Sequence, residues 1–404
     1  MEWLLGYTRR RELTKISVRK LFGRFNYDFD MGNMKKGIII LSGPNGFGKT
    51  VLLDCINAIS MSDLLFFLNL KFESFEIRKS ETESILIERQ SNGLKINNEI
   101  ELSDEEIKIL SIGRIDRNMA EETSRKFSNV LNEMQSLLGR VRYIKEQRLI
   151  DIETNSTASR AVSSRRYSSR LLHAVNSIPR KFEDQIRSLD SKYSQLSTEL
   201  DRTFLKRLFD LKDGIGKLEF DAQINQMRKK IKKLSDSGIA RIGTLDVTEF
   251  KKEDARALKI YFEDFGRKYQ IYEKMIEQIE LFKKIVDTHF LFKHLEITDG
   301  KNIEIIDNDT GEKIRLDSLS SGEQEILVLY YRLLFEIPEE TIVLIDEPEI
   351  SLHIAWQRMF VNDLKKIAEL KNIFAIVATH SMQIVSGNRN IQYDLGEMYK
   401  NGLD

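Results

Sequence analysis

Continuous runs of aliphatic residues occur near both ends of this chain. They are Gly37–Leu41, Thr341–Asp346 and Asn372–Thr379. Short runs of this kind are typical of strands in a parallel sheet that is covered on both faces. Val51–Ile59 follows the first run and has the spacing of an amphipathic helix. The pattern predicts an α/β fold in which distant stretches of the chain fold together.

Other segments alternate apolar and polar residues, as paired strands do. The predicted strands are Leu13–Arg19, Phe25–Met31, Ser84–Arg89, Gly93–Ile100, Ile303–Ile306 and Lys313–Leu316. Ala120–Leu138 has a helical pattern. The predicted architecture therefore combines mixed sheets with helices.

The middle of the chain has a different, helical pattern. Apolar residues recur every three or four positions in Leu171–Phe204 and again in Leu258–Ile279, with charged residues between them. Pro179 lies inside the first series and should kink or start a helix. Two long helices joined near Ser235–Val247 would pair antiparallel and form a short coiled-coil-like insertion. A globular helical subdomain without a projecting arm is the alternative.

Composition and charge exclude several classes of protein. The chain has 404 residues, with 63 Lys and Arg against 63 Asp and Glu, so its net charge predicts no polyanion partner. No apolar run approaches the length of a membrane span, and the order of charges at the N-terminus is unlike that of a signal peptide. Cys55 is the only cysteine, so we expect no intrachain disulfide and place Cys55 in the core. A cytoplasmic protein with no membrane partner is expected.

Two local clusters of basic residues stand out against this neutral balance. Thr157–Arg170 carries four arginines and no acidic residue, and Arg228–Lys233 lies near the predicted helix turn. Either cluster has the charge to contact a nucleic-acid backbone. The alternatives are a solvated linker for the first cluster and a solvated helix face for the second. Nucleic acid therefore stays an open partner.

Gly43–Thr50 reads G-P-N-G-F-G-K-T and stands between the first predicted strand and the helix after it. In this strand–loop–helix context the pattern predicts a P-loop, whose backbone N–H groups and helix N-terminus bind a triphosphate. Lys49 would contact the β- and γ-phosphates, and the Thr50 hydroxyl would bind Mg²⁺. The predicted nucleotide-binding residues of this segment are Gly43, Asn45, Gly46, Gly48, Lys49, Thr50 and Val51.

The C-terminal part of the chain predicts the rest of a nucleotide site. Asp346 ends the second aliphatic run and would hold Mg²⁺ through water. Glu347 is then placed to orient or deprotonate the attacking water. His380 follows the third aliphatic run and can hydrogen-bond a γ-phosphate. A second anion site is predicted at the start of another helix, at Ser320, Ser321 and Gly322.

The P-loop, the helix start at Ser320, the strand end at Asp346 and the histidine after the third run are four motifs. In their order along the chain, they resemble the motifs of the ABC-type ATPases of the SMC, RecF and OLD group. Gly43–Thr50 matches Walker A, and Leu319–Gln324 matches the signature motif. Asp346 and Glu347 match Walker B and the catalytic glutamate, and His380 matches the switch histidine. The resemblance implies an ABC-type P-loop ATPase head built from residues 1–150 and 290–404, with a helical insertion at residues 151–289.

The same resemblance implies ligands and roles for individual residues. ATP and Mg²⁺ are the expected cofactors. The implied catalytic residues are Glu347, Lys49 and His380, and the implied metal ligands are Thr50, Asp346 and, by its Q-loop position, Gln147. Two positions depart from the family pattern. Ser321 replaces the first glycine of the signature, and His353 stands at the D-loop aspartate, which argues against transporter-style coupling.

In the family, the signature motif of a second subunit covers the γ-phosphate. Ser320 and Gly322 would therefore act in trans, and ATP would join two copies of the chain. The resemblance thus implies an ATP-dependent dimer or a higher homo-oligomer.

The resemblance favours one function and leaves others open. Val141–Ile150, Leu200–Leu208 and Glu347–Trp356 are similar to segments of bacterial anti-phage defence ATPases, such as PtuA of Septu systems and AriA of PARIS systems. Only 24 residues follow His380, so the effector is expected to be a separate protein, for which an HNH nuclease is one candidate. The alternative is a RecF/SMC-like DNA-repair ATPase that acts directly on DNA. A scaffold that binds nucleotide but hardly hydrolyses it is a third reading.

Overall fold

The computed structural model describes residues 13–31, 37–111, 121–145, 164–239, 249–350 and 352–401. The chain divides into two compact units. The first combines Met1–Arg148 with Ile337–Asp404, and the second is Leu149–Glu336. The strands and the helix that follow residue 289 pack with the helical middle of the chain, so the proposed boundary at 289 falls inside the second unit.

The N-terminal part of the first unit contains an antiparallel sheet. The helices and strands of this part of the chain are β1 (Lys15–Leu21), β2 (Phe25–Asp30), β3 (Ile38–Ser42), α1 (Lys49–Ser60), α2 (Leu64–Asn69), β4 (Ser74–Arg78), β5 (Ser84–Gln90), β6 (Gly93–Ile96), β7 (Ile100–Ser103), α3 (Asp104–Ser111), α4 (Glu121–Leu138) and β8 (Arg140–Ile144). The sheet has the order β2-β1-β4-β5-β6-β7. In β2, Phe25, Tyr27 and Phe29 are buried while the residues between them are exposed. This alternation confirms the strands predicted near the N-terminus.

The second unit combines long helices with a small antiparallel sheet. Its elements are α5 (Ser164–Asp210), α6 (Lys217–Ser237), α7 (Ala255–His289), β9 (Lys293–Thr298), β10 (Asn302–Asp307), β11 (Lys313–Ile314) and α8 (Ser321–Tyr331). The three strands have the order β11-β10-β9. The hairpin predicted from the alternation near residues 303–316 is therefore present.

The described residues of the helical middle form three helices, so the prediction of only two helices joined by a single turn was wrong. Residues 211–216 join α5 to α6, whereas the turn was expected at Ser235–Val247. A Cβ at Gly214 would lie 2.6 Å from the carbonyl carbon of Ala255. Because glycine has no Cβ, the backbone at Gly214, just after the end of α5, can approach the backbone of Ala255 this closely. α5 continues through Pro179, which does not start a helix.

The two helices that carry the apolar seams, α5 and α7, pair with each other, as predicted. Arg207 of α5 lies 2.6 Å from the carboxylate of Asp264 of α7. The rings of Tyr193 and Tyr272, from the same two helices, have centroids 5.7 Å apart. Residue numbers fall along α5 as they rise along α7, so these two helices are antiparallel.

The basic run Arg228–Lys233 lies in the second half of α6. Lys230 lies over the ring of Tyr269 at 4.6 Å, and Lys233 is 3.7 Å from Glu280. Both partners belong to α7, which runs parallel to α6. α6 ends at Ser237, four residues after Lys233, so the run lies near the end of this helix, beside the segment where the turn was predicted.

The C-terminal part of the chain returns to the first unit. Its elements are β12 (Thr341–Asp346), α9 (Ile354–Lys371), β13 (Phe374–Thr379), α10 (Met382–Val385), β14 (Gln392–Asp394) and α11 (Leu395–Asn401). A five-stranded parallel sheet has the order β14-β3-β13-β12-β8. Every residue of β12 is buried. Strands from both ends of the chain thus share one sheet, which confirms the predicted α/β fold class.

The core of the first unit includes the cysteine. Cys55 of α1 is fully buried, as predicted, and burial raises the pKa of its thiol well above the usual value. Within the described ranges, none of the helices combines the length and the apolar character needed to cross a membrane.

Lys371, at the end of α9, is a buried lysine in this unit. Its ammonium donates a hydrogen bond to the carbonyl of Ile337. Burial lowers the pKa of Lys371 to about 8, and the negative charge of Glu339 opposes this shift.

We expect the free energy of unfolding to rise between about pH 8 and pH 10 because of Lys371. Its folded-state pKa lies below the unfolded value of 10.5, so the cost of burying the charged ammonium disappears as the pH rises. The full gain is on the order of 3 kcal/mol. Denaturant unfolding of the wild type and of Lys371→Met at several pH values measures it. The stability of the wild type relative to the variant should rise with pH, and a constant difference would contradict the shift.

Candidate functional site

The loop between β3 and α1 lies at the carboxyl edge of the parallel sheet. Helix α1 begins at Lys49, and its N-cap Gly48 has a φ of 89°. A Cβ at Gly48 would lie 2.7 Å from Cδ2 of the buried Leu21. Gly46 has a φ of 83° and open space where a Cβ would stand. The loop therefore requires glycine at both positions for its backbone conformation, and at Gly48 for space as well.

Aromatic residues of the first unit hold this loop from one side. The Tyr27 hydroxyl donates to the carbonyl of Phe47 at 3.0 Å. The Phe47 ring lies 5.1 Å from that of Phe25 and 6.0 Å from that of Tyr399. The first turn of α1 carries no acidic residue, and its N-cap makes no side-chain hydrogen bond. The N–H groups at this helix start are thus suited to an anion.

The Lys49 ammonium lies at the centre of the candidate site. It donates to the carbonyl oxygens of Gly43 at 2.8 Å and Pro44 at 3.0 Å, and it lies 3.1 Å from Nδ1 of His380. Burial lowers the pKa of Lys49, and nearby carboxylates, of which Glu347 has the largest effect, oppose this shift. A buried ammonium beside open backbone N–H groups suits the phosphates of a nucleotide.

The first turn of α1 contacts the end of β12. The Thr50 hydroxyl donates to Oδ1 of Asp346 at 3.2 Å. From β8, the Tyr143 hydroxyl lies 3.5 Å from Oδ2 of the same carboxylate. Burial raises the pKa of Tyr143, and the charges of Asp346 and Asp54 raise it further. Tyr143 therefore remains a hydrogen-bond donor to the Asp346 carboxylate.

The Thr50 hydroxyl and the Asp346 carboxylate fit a magnesium ion. Both supply oxygen, and Mg²⁺ is usually bound by one or two protein carboxylates together with water and substrate phosphates. No group of three or more His, Cys, Asp or Glu among the described residues could hold a metal ion by itself. Gln147, the third predicted ligand, lies outside the described residues.

Glu347 follows β12 in an unusual backbone conformation. Its φ is 46°, which is uncommon for a residue with a side chain. Its N–H donates to the carbonyl of Ala378 at 2.8 Å, and its Oε1 lies 2.6 Å from Nε2 of His380. Because a carboxylate oxygen can only accept, Nε2–H of His380 is the donor to Glu347, while Nδ1 lies 3.1 Å from the Lys49 ammonium and 3.2 Å from the carbonyl oxygen of Gly43. The three predicted catalytic residues therefore form one hydrogen-bonded chain.

The predicted signature motif lies in the second unit. Ser320 is the N-cap of α8, and its hydroxyl accepts the N–H of Glu323 at 3.3 Å. The Glu323 carboxylate accepts the Ser320 N–H at 2.9 Å and lies 2.7 Å from the Lys293 ammonium. Burial raises the pKa of Glu323, but these bonds outweigh it and hold the pKa below its usual value. This capping box fixes the helix start, and Ser321 and Gly322 form its first turn.

The remaining predicted positions lie at the expected elements. Asn45 is exposed in the P-loop, and Val51 is half-buried in α1. His353 is the N-cap of α9, where its Nδ1 accepts the N–H of Ala355 at 3.3 Å. The histidine thus takes the capping role for which an aspartate is well suited.

The structure brings together predicted residues from both ends of the chain, in the first unit: Lys49, Thr50, Asp346, Glu347 and His380. The sequence analysis did not single out Tyr143 and Glu349, although both stand in segments that it quoted. Their partners are set by the strand order, which no local pattern contains. This arrangement has the form of a P-loop nucleotide site.

The chain belongs to the family described as AAA domain, putative AbiEii toxin, Type IV TA system, whose model matches residues 38–386. It is similar to two retron proteins. The Retron Vc95 probable ATPase of Vibrio cholerae serotype O1 biovar El Tor is 25% identical over 373 residues, which are 87% of this chain and 67% of the relative. The Retron Ec83 probable ATPase of Escherichia coli is 25% identical over 381 residues, which are 87% of this chain and 65% of the relative.

Other similarities are more limited. Protein ea59 of Escherichia phage lambda is 29% identical over 125 residues, which are 28% of this chain and 24% of the phage protein. This chain therefore spans about a quarter to two thirds of the length of these relatives. A crystal structure of the Smc head domain with an extended coiled coil, from Pyrococcus furiosus, covers 93% of this chain and is itself covered to 91%, with 16% identity and a TM-score of 0.38.

Proposed function

We propose that this chain binds ATP with Mg²⁺ and hydrolyses it to ADP and phosphate. One observation carries the proposal: Lys49, His380 and Glu347 form a hydrogen-bonded chain. Thr50, which follows Lys49 in α1, donates a hydrogen bond to Asp346 at the end of β12. These residues come from distant parts of the sequence and meet at the carboxyl edge of a parallel sheet, where ligands bind in such folds. The family match and the two retron relatives support the same activity.

Each residue has a definite task in the proposed reaction. When bound beside Thr50 and Asp346, Mg²⁺ would supply positive charge that stabilises the negative charge developing on the phosphates. The Thr50 hydroxyl and the Asp346 carboxylate hold the metal position. Lys49 donates to phosphate oxygens in place of the loop carbonyls that it contacts here. Glu347 orients the attacking water and accepts its proton.

His380 controls whether Glu347 is available in this scheme. Its Nε2–H is donated to Oε1 of Glu347 at 2.6 Å, so that oxygen already accepts a strong hydrogen bond. A phosphate oxygen beside Lys49 would compete for the same imidazole hydrogen. Nucleotide binding would then release the carboxylate for water.

A second copy of the chain completes the proposed site. By the resemblance, the start of α8 (Ser320–Gly322) of one copy covers the nucleotide on the other. Exposed apolar side chains also stand next to site residues in sequence: Ile350 is 55% exposed, Ile354 59% and Met382 74%. Exposed apolar residues that lie close together mark interaction surfaces. We therefore propose an ATP-dependent dimer or higher homo-oligomer.

The proposed biological role is that of an ATPase subunit in a bacterial anti-phage defence complex. The similarity to PtuA and AriA in sequence and the two retron relatives support this role. In this scheme ATP-dependent assembly controls a separate effector protein, for which an HNH nuclease is one candidate. The arginines of Thr157–Arg170 are candidates for contact with nucleic acid.

Phosphate release by the purified chain tests the proposed activity. We expect turnover with ATP and Mg²⁺, its loss when EDTA removes the metal, and no change on addition of linear double-stranded DNA. Enzyme turnover in general typically lies at about 1 s⁻¹ or above. Stimulation by DNA alone would favour the DNA-repair ATPase. ATP binding without phosphate release would favour a nucleotide-binding scaffold.

A further inference from the structure

Glu349 holds the peptide that follows β13. Its Oε1 accepts the N–H of His380 at 2.6 Å and the N–H of Ser381 at 3.2 Å. A carboxylate that accepts two successive backbone N–H groups makes strong and directional bonds. His380 is thus held twice: its backbone contacts Glu349, and its imidazole contacts Glu347 and Lys49.

A second set of hydrogen bonds connects the same loops through α9. The Ser381 hydroxyl donates to Oε1 of Gln357 at 2.6 Å. Nε2 of Gln357 donates to the carbonyl of Leu352 at 2.8 Å and to that of Glu349 at 3.3 Å. The loop after β12, the first turns of α9 and the loop after β13 therefore form one connected network.

These contacts connect the loop that carries Glu347 to the loop that carries His380 at two points. Glu347 and Glu349 stand two residues apart on one loop, and both bind His380, one through its imidazole and the other through its backbone. Oε2 of Glu349 is buried without a hydrogen-bond partner among the described residues, so the carboxylate makes these contacts through a single oxygen. Burying a carboxylate oxygen without a partner is unfavourable, and the two bonds to Oε1 must offset this cost.

We propose that Glu349 is a positioning residue for the ATPase reaction, which sets the distance between the His380 imidazole and the Glu347 carboxylate. The inference rests on the proposed function. Glu349 acts through the backbone of the loop, whereas Lys49 and the P-loop bind the phosphates. Its loss should therefore affect the chemical step and leave ATP binding intact.

Steady-state kinetics of three variants test this role. Glu349→Ala should lower kcat by about 10- to 100-fold with little change in KM, because small displacements of catalytic groups have effects of this size. Glu349→Gln should recover most of the loss, because an amide oxygen can accept the same two N–H groups. Glu369→Ala, at an exposed glutamate of α9, is the matched control and should behave as wild type. A Gln variant as poor as the Ala variant, or an Ala variant with wild-type kcat, would overturn the proposal.

A double variant separates action through His380 from an independent effect. If Glu349 acts by placing His380, then adding Glu349→Ala to His380→Ala should lower kcat no further. A multiplicative loss in the double variant would show that Glu349 acts by another route.

Chemical labelling gives a readout that does not depend on ATP hydrolysis. Without nucleotide, diethyl pyrocarbonate should modify His380 faster in Glu349→Ala than in the wild type or Glu349→Gln, as followed by mass spectrometry. If the wild type failed to hydrolyse ATP, the proposed function would be refuted. Faster labelling of His380 in Glu349→Ala would still support the inference that Glu349 positions His380. Unchanged labelling in Glu349→Ala would overturn the inference while the proposed function stood.

Discussion

Glu347→Gln is expected to remove most ATP turnover and to trap the ATP-bound assembly. The amide keeps the volume of the carboxylate and can still accept from Nε2 of His380, but it cannot take a proton from water. Loss of a general base typically lowers the rate by about 10²–10⁴-fold. Bound ATP would then persist and hold copies of the chain together. Light scattering should give the mass of two or more chains with ATP and Mg²⁺, and the mass of one chain without them.

The exposed Glu369 of α9 supplies the control for this measurement. Glu369→Gln changes charge by the same amount and should leave turnover and assembly as in the wild type. An unchanged mass of the Glu347→Gln protein with ATP would contradict assembly through composite sites. Phosphate release equal to that of the wild type would show that Glu347 is not the base.

Lys49→Met should weaken ATP binding by about a hundredfold. Methionine has a similar length and apolar stem, but it cannot donate to phosphate oxygens. Removing one partner of a buried charge pair costs about 3 kcal/mol, which corresponds to a factor of about 100 in the dissociation constant. Equilibrium titration with a fluorescent ATP analogue measures the loss. The increase in melting temperature caused by ATP should fall with it, since that stabilisation depends on affinity.

Lys371→Met is the matched control for Lys49→Met. Lys371 is also a buried lysine of the first unit that donates to a backbone carbonyl, but it lies at the end of α9. This variant should bind ATP as the wild type does. Equal loss of affinity in both variants would indicate a general effect of removing a buried lysine, and wild-type affinity in Lys49→Met would exclude Lys49 from phosphate binding.

The parts of the site that could be predicted are those that a short segment defines. Gly43–Thr50 specifies its own backbone, because Gly46 and Gly48 adopt positive φ and Lys49 starts a helix. Asp346 ends an aliphatic run that forms the fully buried strand β12. The fold class could be predicted for the same reason, since both ends of the chain carry such runs.

In the helical unit, the sequence pattern predicts only part of the structure. The apolar seams of α5 and α7 correctly indicated two long helices that pair antiparallel. They did not indicate α6, which follows the turn at 211–216 and runs parallel to α7. The close contact of Gly214 with Ala255 involves residues far apart in sequence, which periodicity does not report.

By itself, the amino-acid sequence determined the phosphate-binding loop, the strands that carry Asp346 and His380, and the burial of Cys55, because each depends on local backbone preference and local polarity. Only the tertiary structure decided that Tyr143 contacts Asp346 and that Glu349 holds the backbone of His380. The physical reason is the order of the parallel strands, which brings together side chains that are distant along the chain. A hydrogen bond depends on distance and direction in space, and no interval in the sequence encodes these for residues that only the sheet makes neighbours.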